Sequence, residues 1–377
     1  MIETLLQRVP LVLEYPVVFT RDLLDPDNGA LADVLARREP ERRHRFVAVV
    51  DAGVAAKWPS LATAITAYAH HHHPRLELAA PPWHIPGGEA AKDRPVLDGL
   101  LDRFAALRLD RHAFVVGIGG GAALDVIGYA SAVLHRGLRL VRVPTTVLAQ
   151  NDAGIGVKNG INAYGAKNFL GTFAAPFAVV NDSSFLRTLA PRDQLAGMAE
   201  AVKVALIRDP VFFDWIESRA TRLAAFELDA VEQLIRRCAE LHLAHIAGGG
   251  DPFEQGNARP LDFGHWAAHK LELLTRHELR HGEAVAIGMA VDTTYSKLTG
   301  LLDAASCARV LALLRALGLA TWHPALREPA LIGGLAEFRE HLGGELTITL
   351  LHGIGRGMDA RSIDDAIVKR AIDELAA

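Results

Sequence analysis

The amino-acid sequence predicts two successive structural units, an α/β domain built on a parallel sheet and then a helical domain. First, 377 residues are more than one hydrophobic core ordinarily holds. Second, short β-branched runs alternate with helical patterns up to about Ser184. Third, the chain beyond that point shows long helical periodicity and few strand signals. We therefore expect an α/β domain over residues 1–185 and a helical domain over residues 186–377.

Three short apolar runs in the first half are typical of buried strands. They are Arg45–Val50, Ala113–Gly117 and Leu140–Val143. Each is followed by a turn and an Ala- and Leu-rich amphipathic stretch, and strands that alternate with helices form parallel sheets covered on both faces. In the second half, the segments with helical periodicity are Arg192–Ile207, Pro210–Phe226, Ala230–Ile246 and Asp303–Leu317. The predicted fold class is α/β plus all-α, with a Rossmann-like parallel sheet first.

The composition excludes several classes of protein. Half of the residues are hydrophobic and 22% are charged, as in an ordinary globular protein, and the formal net charge of −4 gives no basic field for nucleic acid or anionic lipid. Two cysteines, Cys238 and Cys307, are too few for a disulfide framework or a thiolate zinc site. The first residues lack the basic start of a signal peptide, and no apolar run approaches the roughly 20 residues that span a bilayer. These features predict a cytoplasmic protein without nucleic-acid or membrane partners.

A glycine-rich turn joins a predicted strand to a predicted helix within Val115–Asp125. Glycines such as Gly119–Gly121 let a backbone approach a pyrophosphate, and a helix N-terminus supplies N–H donors to it. A tight strand-to-helix connection without a ligand has the same pattern. Pro144-Thr145-Thr146 and Asp51 end two other predicted strands and favour a ligand, because open α/β sheets bind ligands at the carboxyl ends of their strands. The turn therefore predicts a dinucleotide site.

One carboxylate and three histidines occupy predicted helices in the second half. Glu200 lies in a helical stretch, with Lys203 one turn further on. His265 and His269 are four residues apart and share a helix face, and His281 stands at the start of another helix. A carboxylate with imidazoles suits Zn²⁺ with an open position for a substrate. A lone histidine on an apolar helix is usually a core residue, but groups on separate helices favour a metal site.

Charged and amide side chains crowd the glycine-rich segment Asn151–Gly171. They are Asp152, Lys158, Asn162, Lys167 and Asn168. Lysines and amides donate strong hydrogen bonds to phosphate oxygens. A solvated loop is the alternative, and it fits less well because the following stretch, Phe169–Val180, is apolar and expected to be packed. We interpret the segment as a phosphate-binding loop.

About eight motifs between Asp51 and Gly355 share one order and spacing with a known superfamily. They are the Asp51 strand end, Gly88-Glu89-Ala90-Ala91-Lys92, Gly119–Asp125, His135-Arg136-Gly137, Pro144-Thr145-Thr146, Asp152 and Lys158 with Lys167-Asn168, Ala199-Glu200 with Lys203, and Gly264-His265 with His281-Gly282-Glu283. In these the chain resembles the sugar phosphate cyclase superfamily, whose founding member is 3-dehydroquinate synthase. The resemblance implies an N-terminal nucleotide-binding domain, a C-terminal helical metal-binding domain and an active site between them.

The resemblance also implies which residues bind cofactors and substrate. The NAD contacts that it implies are Asp51, Glu89, Lys92, Gly119, Gly120, Gly121, Asp125, Thr145, Thr146, Lys167 and Thr188. It implies that Zn²⁺, or Co²⁺ in its place, is held by Glu200, His265 and His281. The implied catalytic and substrate shell consists of Asp152, Lys158, Asn168, Lys203, Glu254 and His269. Arg136 is expected to come from the neighbouring subunit of a homodimer.

Three positions that bear on a substrate carboxylate distinguish branches of the superfamily. Dehydroquinate synthases typically have a lysine and an arginine where this sequence has Ala244 and Ala258, and an asparagine where it has Asp262. A carboxylate left unpaired beside an anion in a desolvated pocket is disfavoured by roughly several kcal/mol. Arg259 lies one residue away and is able to compensate in part. The charges therefore favour a substrate without a carboxylate.

Two segments, Arg259–His265 and Phe338–Gly344, resemble the C7-cyclitol synthases, which cyclise sedoheptulose 7-phosphate to 2-epi-5-epi-valiolone or an epimer. The resemblance implies transient oxidation by NAD, phosphate elimination, re-reduction and intramolecular aldol closure. His269 departs from that branch, whose best-known members replace this histidine, often with proline. We interpret the chain as a sedoheptulose 7-phosphate cyclase. The alternatives are 3-dehydroquinate synthase, a metal-dependent polyol or glycerol phosphate dehydrogenase, and a non-catalytic binding protein.

Overall fold

The computed structural model describes residues 3–9, 11–249, 261–335, 338 and 346–377. Its strands are β1 (Val17–Thr20), β2 (His44–Asp51), β3 (Leu76–Leu78), β4 (Trp83–Ile85), β5 (Phe114–Gly119), β6 (Arg139–Pro144), β7 (Lys158–Ala163), β8 (Ala166–Phe173), β9 (Ala178–Asp182), β10 (Ile348–Leu351) and β11 (Gly357–Ala360). Seven of them form a parallel sheet in the order β1-β9-β6-β5-β2-β3, with β4 also paired to β2. The pairs β7-β8 and β10-β11 are separate antiparallel hairpins.

Both faces of the parallel sheet are covered, because successive side chains of a strand point to opposite sides. Phe46 and Val50 of β2 pack in one core layer, and Val47 and Val49 pack in the other. The helices of this half are α1 (Ala30–Ala36), α2 (Ala52–Lys57), α3 (Leu61–His71), α4 (Arg94–Ala106) and α5 (Gly121–Val133). The carboxyl ends of β2, β5 and β6 therefore meet along one edge.

The second half is helical. Its helices are α6 (Pro191–Ala196), α7 (Ala199–Arg208), α8 (Pro210–Ser218), α9 (Ala220–Ala224), α10 (Leu228–Ala244), α11 (His265–Leu274), α12 (His281–Leu298), α13 (Ala304–Ala316) and a last helix, Asp365–Ala376. The helix α12 is buried along most of its length and packs against α7, α11, α13 and the last helix. No helix of the described residues is long and apolar enough to cross a membrane.

Two predicted helices are each broken into two. The segment Arg192–Ile207 is interrupted at Gly197, whose carbonyl accepts a hydrogen bond from Asn151 Nδ2 at 3.1 Å instead of continuing a helix. The segment Pro210–Phe226 is interrupted at Arg219, where the backbone leaves the helical region with φ −117° and ψ 10°. Both breaks depend on the surrounding fold and leave no clear mark in the sequence.

The prediction of a loop over Asn151–Gly171 was wrong from Lys158 onward, because residues 158–171 belong to the β7-β8 hairpin; the residues before Lys158 form a π-helical turn and a short connection. The hairpin turn has positive φ at Tyr164 (52°) and at Gly165 (76°). Of the two, the glycine adopts such a φ without strain. Phe169 is 57% exposed, so the expected packing of the following stretch also fails at its first residue. The polar strands of the hairpin carry too little apolar alternation to be recognised from sequence.

The proposed domain boundary near residue 185 falls between the sheet and the helical half. The last strand of the sheet, β9, ends at Asp182, a 3-10 turn spans Ser183–Thr188, and α6 begins at Pro191. We retain the division into residues 1–185 and 186–377 as a proposal.

Candidate active site

Glu200, His265 and His281 come together from three helices. Glu200 lies in the first turn of α7, and the histidines are the first residues of α11 and α12. The Nε2 atoms of His265 and His281 lie 3.7 and 3.6 Å from Glu200 Oε1, and the ligand atoms of all three residues lie within 4.8 Å of one another. A tetrahedral ion with bonds of about 2.0–2.1 Å places its ligand atoms roughly 3.4 Å apart. The cluster therefore fits one divalent metal ion.

The electrostatics of this cluster also suit a metal ion. Glu200 is fully buried, and neither of its oxygens accepts a well-aligned hydrogen bond from the described residues, although Lys203 Nζ is ion-paired with Oε2. Burial alone would raise the pKa of Glu200, but Lys203 and the two histidines lower it well below 4.5. Burial and the charge of Lys203 lower the pKa of His265 well below 6.5. An ionised carboxylate and a neutral imidazole are the states that bind a metal.

Glu272 of α11 contacts the metal-ligand cluster and was not among the predicted site residues. Its Oε2 lies 3.2 Å from His281 Nδ1, which turns the Nε2 of that imidazole toward Glu200. Glu200 and Glu272 raise the pKa of His281 to about 9 against the effect of burial. A carboxylate at the outer nitrogen of a metal-binding histidine fixes its tautomer and orientation. Glu272 stands seven residues after His265, so its spacing on one helix face was the signal in the sequence.

The turn before His265 is fixed where α11 crosses α12. A Cβ atom at Gly288 would lie 2.0 Å from Gly264 O, so the two backbones touch at a place where only glycine fits. Gly264 itself has φ 80°, in the left-handed region that favours glycine. The buried Asp292 accepts hydrogen bonds from Gly264 N at 3.0 Å and from Trp266 Nε1 at 2.8 Å. These bonds hold the residues on both sides of His265.

The carboxyl group of Asp292 makes the stability of this turn depend on pH. Burial raises its pKa from 3.8 to about 7, against the two hydrogen bonds that it accepts. Because the folded state favours the protonated form, the free energy of unfolding loses this contribution as the pH rises from about 4 through 7. Asp292→Asn has no carboxyl group at this position and so lacks this pH-dependent contribution. The melting midpoint of the variant minus that of wild type should therefore rise from pH 5 to pH 8.

Melting curves at four pH values in that range check this prediction. The control is Asp359→Asn, which makes the same substitution at an exposed carboxylate of β11. A constant difference for Asp292→Asn would contradict the raised pKa.

The glycine turn lies at the carboxyl end of β5 and leads into α5. Gly120 is the N-cap of α5, and no side chain among the described residues caps that helix. A Cβ atom at Gly119 would meet Asp51 Cβ at 3.0 Å, and one at Gly120 would meet Thr146 Cγ2 at 3.3 Å. Close packing thus brings the ends of β2, β5 and β6 together. The uncapped N–H groups beside a glycine surface fit the pyrophosphate of a dinucleotide.

Comparison with known proteins agrees with this arrangement. Residues 82–196 match the family model described as 3-dehydroquinate synthase N-terminal, and residues 197–337 match the model described as 3-dehydroquinate synthase C-terminal. The 3-dehydroquinate synthase of Paracoccus denitrificans (strain Pd 1222) is 36% identical over 305 residues, which cover 78% of this chain and 82% of that protein. The chain belongs to the 3-dehydroquinate synthase family. The predicted superfamily and fold class are confirmed.

Two synthases with another reaction are also similar to this sugar phosphate cyclase. The 2-epi-5-epi-valiolone synthase of Streptomyces glaucescens is 33% identical over 369 residues, which cover 96% of this chain and 92% of that protein. ValA, the 2-epi-5-epi-valiolone synthase of Streptomyces hygroscopicus subsp. jinggangensis 5008, was solved with NAD⁺ and Zn²⁺ bound. Its structure has a TM-score of 0.87 at 31% identity, covering 98% of this chain and 99% of that one.

In this cyclase a chain of polar contacts joins several of the predicted cofactor and substrate residues. Lys92 Nζ lies 2.6 Å from both Asp125 Oδ2 and Asn168 Oδ1. The backbone N–H of Asn168 donates to Asn162 Oδ1, and Asn162 Nδ2 donates to Glu89 Oε2, each at 2.9 Å. The β7-β8 hairpin thereby connects α5 with the turn that holds Glu89.

Asp152 and Lys203 come together across the two halves of the cyclase. Asp152 lies in a π-helical turn after β6, and its Oδ1 is 3.1 Å from Nδ1 of His242, a buried residue of α10. Lys203 is buried, and Glu200, Asp152 and Asp262 raise its pKa against the effect of burial. No sequence motif indicates His242, because it is one of many side chains on a long amphipathic helix.

The structure places the remaining shell residues at different depths. The ring of His269 lies with its centroid 5.5 Å from that of His265 and 6.2 Å from that of His281. Lys158 begins β7 and is exposed. The fully buried Arg142 of β6 donates to the carbonyls of Gly154, Gly156 and Lys158 and so fixes the path of the chain up to Lys158.

Several predicted residues lie away from the cluster or outside the described residues. Arg136 is exposed in the turn after α5, with φ 64°. Thr188 ends the 3-10 turn after β9 and donates its hydroxyl to Phe185 O at 2.7 Å. The predictions for Glu254 and Arg259 fall outside the residues that the structure describes.

Proposed function

We propose that this cyclase converts sedoheptulose 7-phosphate into a C7 cyclitol, 2-epi-5-epi-valiolone or an epimer, with NAD⁺ and Zn²⁺, or Co²⁺, as resident cofactors. The likeness to the two Streptomyces synthases supports this reaction over the full length of the chain. The observation that carries the proposal is the excess of carboxylates around Lys203.

Three carboxylates act electrostatically on one buried ammonium in this site: Glu200 is ion-paired with Lys203, and Asp152 and Asp262 add to the effect of Glu200 in raising the pKa of Lys203. A metal ion on Glu200 balances that carboxylate, but Asp262 stands where dehydroquinate synthases typically have a neutral asparagine. A substrate carboxylate there is both desolvated and repelled. Sugar hydroxyls, in contrast, donate hydrogen bonds to carboxylates. The charges therefore suit an uncharged, hydroxylated end of the substrate.

When bound, NAD⁺ would supply reversible hydride transfer at a carbinol carbon, and the metal ion would supply Lewis-acid polarisation of the carbinol oxygen. Glu200, His265 and His281 would hold the ion at the junction of the two halves. Lys203 keeps its proton because its pKa is raised, so it offers N–H donors to an oxygen that gains negative charge.

The phosphate end of the substrate is assigned to Lys158 and Asn168. Lys92 Nζ donates a hydrogen bond to the side-chain oxygen Oδ1 of Asn168. This leaves the side-chain Nδ2–H of Asn168 as a donor for a phosphate oxygen. Both Lys158 and Asn168 are exposed on the hairpin, so a ligand reaches them. An ammonium and an amide stabilise the charge of a departing phosphate.

A homodimer completes this proposal. Arg136 is exposed beyond the end of α5, so a neighbouring subunit can contact it. An arginine recognises phosphate with two parallel N–H bonds, so the partner's guanidinium would add to the phosphate shell. The cytoplasmic location stays a prediction from the sequence.

Two other reactions are alternatives. The family includes 3-dehydroquinate synthases at 36% identity, which favours a carboxylated heptulosonate phosphate as the rival substrate. A polyol or glycerol phosphate dehydrogenase would use the same cofactors but release NADH in proportion to product.

Competition between equal concentrations of sedoheptulose 7-phosphate and the carboxylated sugar tests the proposal. We expect kcat/KM to favour sedoheptulose 7-phosphate by roughly 100-fold, the ratio that about 2.7 kcal/mol of transition-state discrimination gives. Asp262→Asn removes the negative charge that would repel a substrate carboxylate, so it should lower that ratio about tenfold. A ratio that favours the carboxylated sugar in wild type would overturn the branch assignment. Absorbance of NADH growing in step with product would support the dehydrogenase.

A further inference from the structure

Glu272 stands between the metal cluster and the predicted cofactor residues. It is 5% exposed, and its two oxygens point to different partners. Oε2 lies 3.2 Å from His281 Nδ1, and Oε1 lies 3.2 Å from Lys167 Nζ. We propose that Glu272 is a positioning residue that couples the two cofactors, so that the metal ion and the dinucleotide each tighten the binding of the other. The identity of the two cofactors rests on the proposed function.

On the metal side, Glu272 sets the tautomer and the ring orientation of His281. A hydrogen bond from Nδ1–H to a carboxylate fixes the imidazole in the tautomer whose Nε2 binds a metal. A metal ion on Nε2 in turn holds the ring in one orientation, and the ring then holds Glu272. Loss of such an outer carboxylate typically costs about 10- to 100-fold in metal affinity.

On the dinucleotide side, Glu272 helps to position the ammonium group of Lys167. Lys167 Nζ is bound between Glu272 Oε1 and Glu89 Oε1, each at 3.2 Å. Lys167 belongs to β8 of the hairpin, whereas Glu272 belongs to α11 of the helical half. A metal ion that holds His281, and through it Glu272, would therefore also stabilise the position of a cation in the other half.

The coupling follows from this shared element. Each cofactor needs Glu272 in one position, because His281 and Lys167 both contact that carboxylate, so binding of one cofactor stabilises the position that the other requires. Linkage requires the effect to be the same in both directions. Coupling between two sites usually changes affinity by about 5- to 150-fold.

Calorimetric titration of the full chain measures this directly and needs no substrate. NAD⁺ is titrated into protein treated with a chelator and into protein loaded with Zn²⁺, and Zn²⁺ is titrated with and without saturating NAD⁺. In wild type we expect each ligand to bind about tenfold more tightly when the other is present. In Glu272→Gln, whose amide has one acceptor oxygen for two donors, the ratio should fall to about one while both ligands still bind.

Two further variants separate this role from a general loss of structure. Lys167→Met removes the cation and keeps the contact of Glu272 with His281, so coupling should disappear while Zn²⁺ affinity stays within about threefold. Glu278→Gln, an exposed glutamate between α11 and α12, should retain wild-type coupling. Independent binding in wild type, or full coupling in Glu272→Gln, would overturn this proposal alone. Failure of wild type to bind either ligand would overturn the cofactor assignment and the coupling together.

Discussion

His265→Ala is expected to lose the metal ion and the activity together. The variant keeps Glu200 and His281 as ligands, and two protein ligands hold a catalytic Zn²⁺ poorly. Metal content should fall from about one ion per chain to roughly a tenth under dialysis. The rate of product formation should fall by roughly 1,000-fold or more, because Lewis-acid stabilisation is worth several kcal/mol. Metal analysis of the dialysed protein and a product assay check the two effects.

A matched variant distinguishes ligand loss from a general effect of removing an imidazole. His84→Ala changes an exposed histidine of β4 and should leave the metal content and the rate unchanged. NAD⁺ affinity of chelated His265→Ala should match that of chelated wild type, since the glycine turn is not altered. Full metal occupancy in His265→Ala would show that this histidine is not a ligand.

Gly288→Ala is expected to disturb both stability and metal binding although Gly288 is not a predicted ligand. The added methyl group would lie 2.0 Å from Gly264 O, a distance that no real Cβ contact shows, so α12 and the turn before His265 have to separate. Overpacking of this kind costs about 3 kcal/mol. The thermal midpoint should fall by roughly 6–12 °C, and Zn²⁺ affinity should fall because His265 follows the turn.

The control for this substitution is Gly99→Ala. Gly99 lies on the exposed side of α4, and a Cβ atom there meets nothing within 4 Å. In a helix interior, alanine is favoured over glycine by about 1 kcal/mol, so this variant should be slightly more stable than wild type. Equal midpoints for Gly288→Ala and wild type would contradict the close crossing of α11 and α12.

The sequence predicted the sheet better than the regions around the site. The strands β2 and β6 contain the predicted apolar runs and extend one residue beyond them at each end, and β5 begins one residue after its predicted run and ends two residues beyond it. Continuous apolar runs have one stable location in a chain of this size, the interior of a covered sheet. The hairpin of Lys158 and Asn168 was missed because its strands are polar and gain their order from contacts such as those of the buried Arg142.

What the sequence by itself determined was the family, the fold class and the chemistry of the residues that make a candidate site. Residue types and their order were enough to select Glu200, His265 and His281. The metals that carboxylate and imidazole groups prefer depend on the groups themselves and not on their place in the fold. Tertiary structure alone decided how these groups are held. His242 and Asp292 act through contacts between segments that are distant in the chain, and no local pattern encodes such contacts. The spacing of Glu272 after His265 is visible in the sequence, but its contact with Lys167 of the other half is not. The crossing at Gly264 and Gly288 also depends on tertiary structure. The sequence does not show that the backbone at Gly264 lies so close to Gly288 that only glycine fits there.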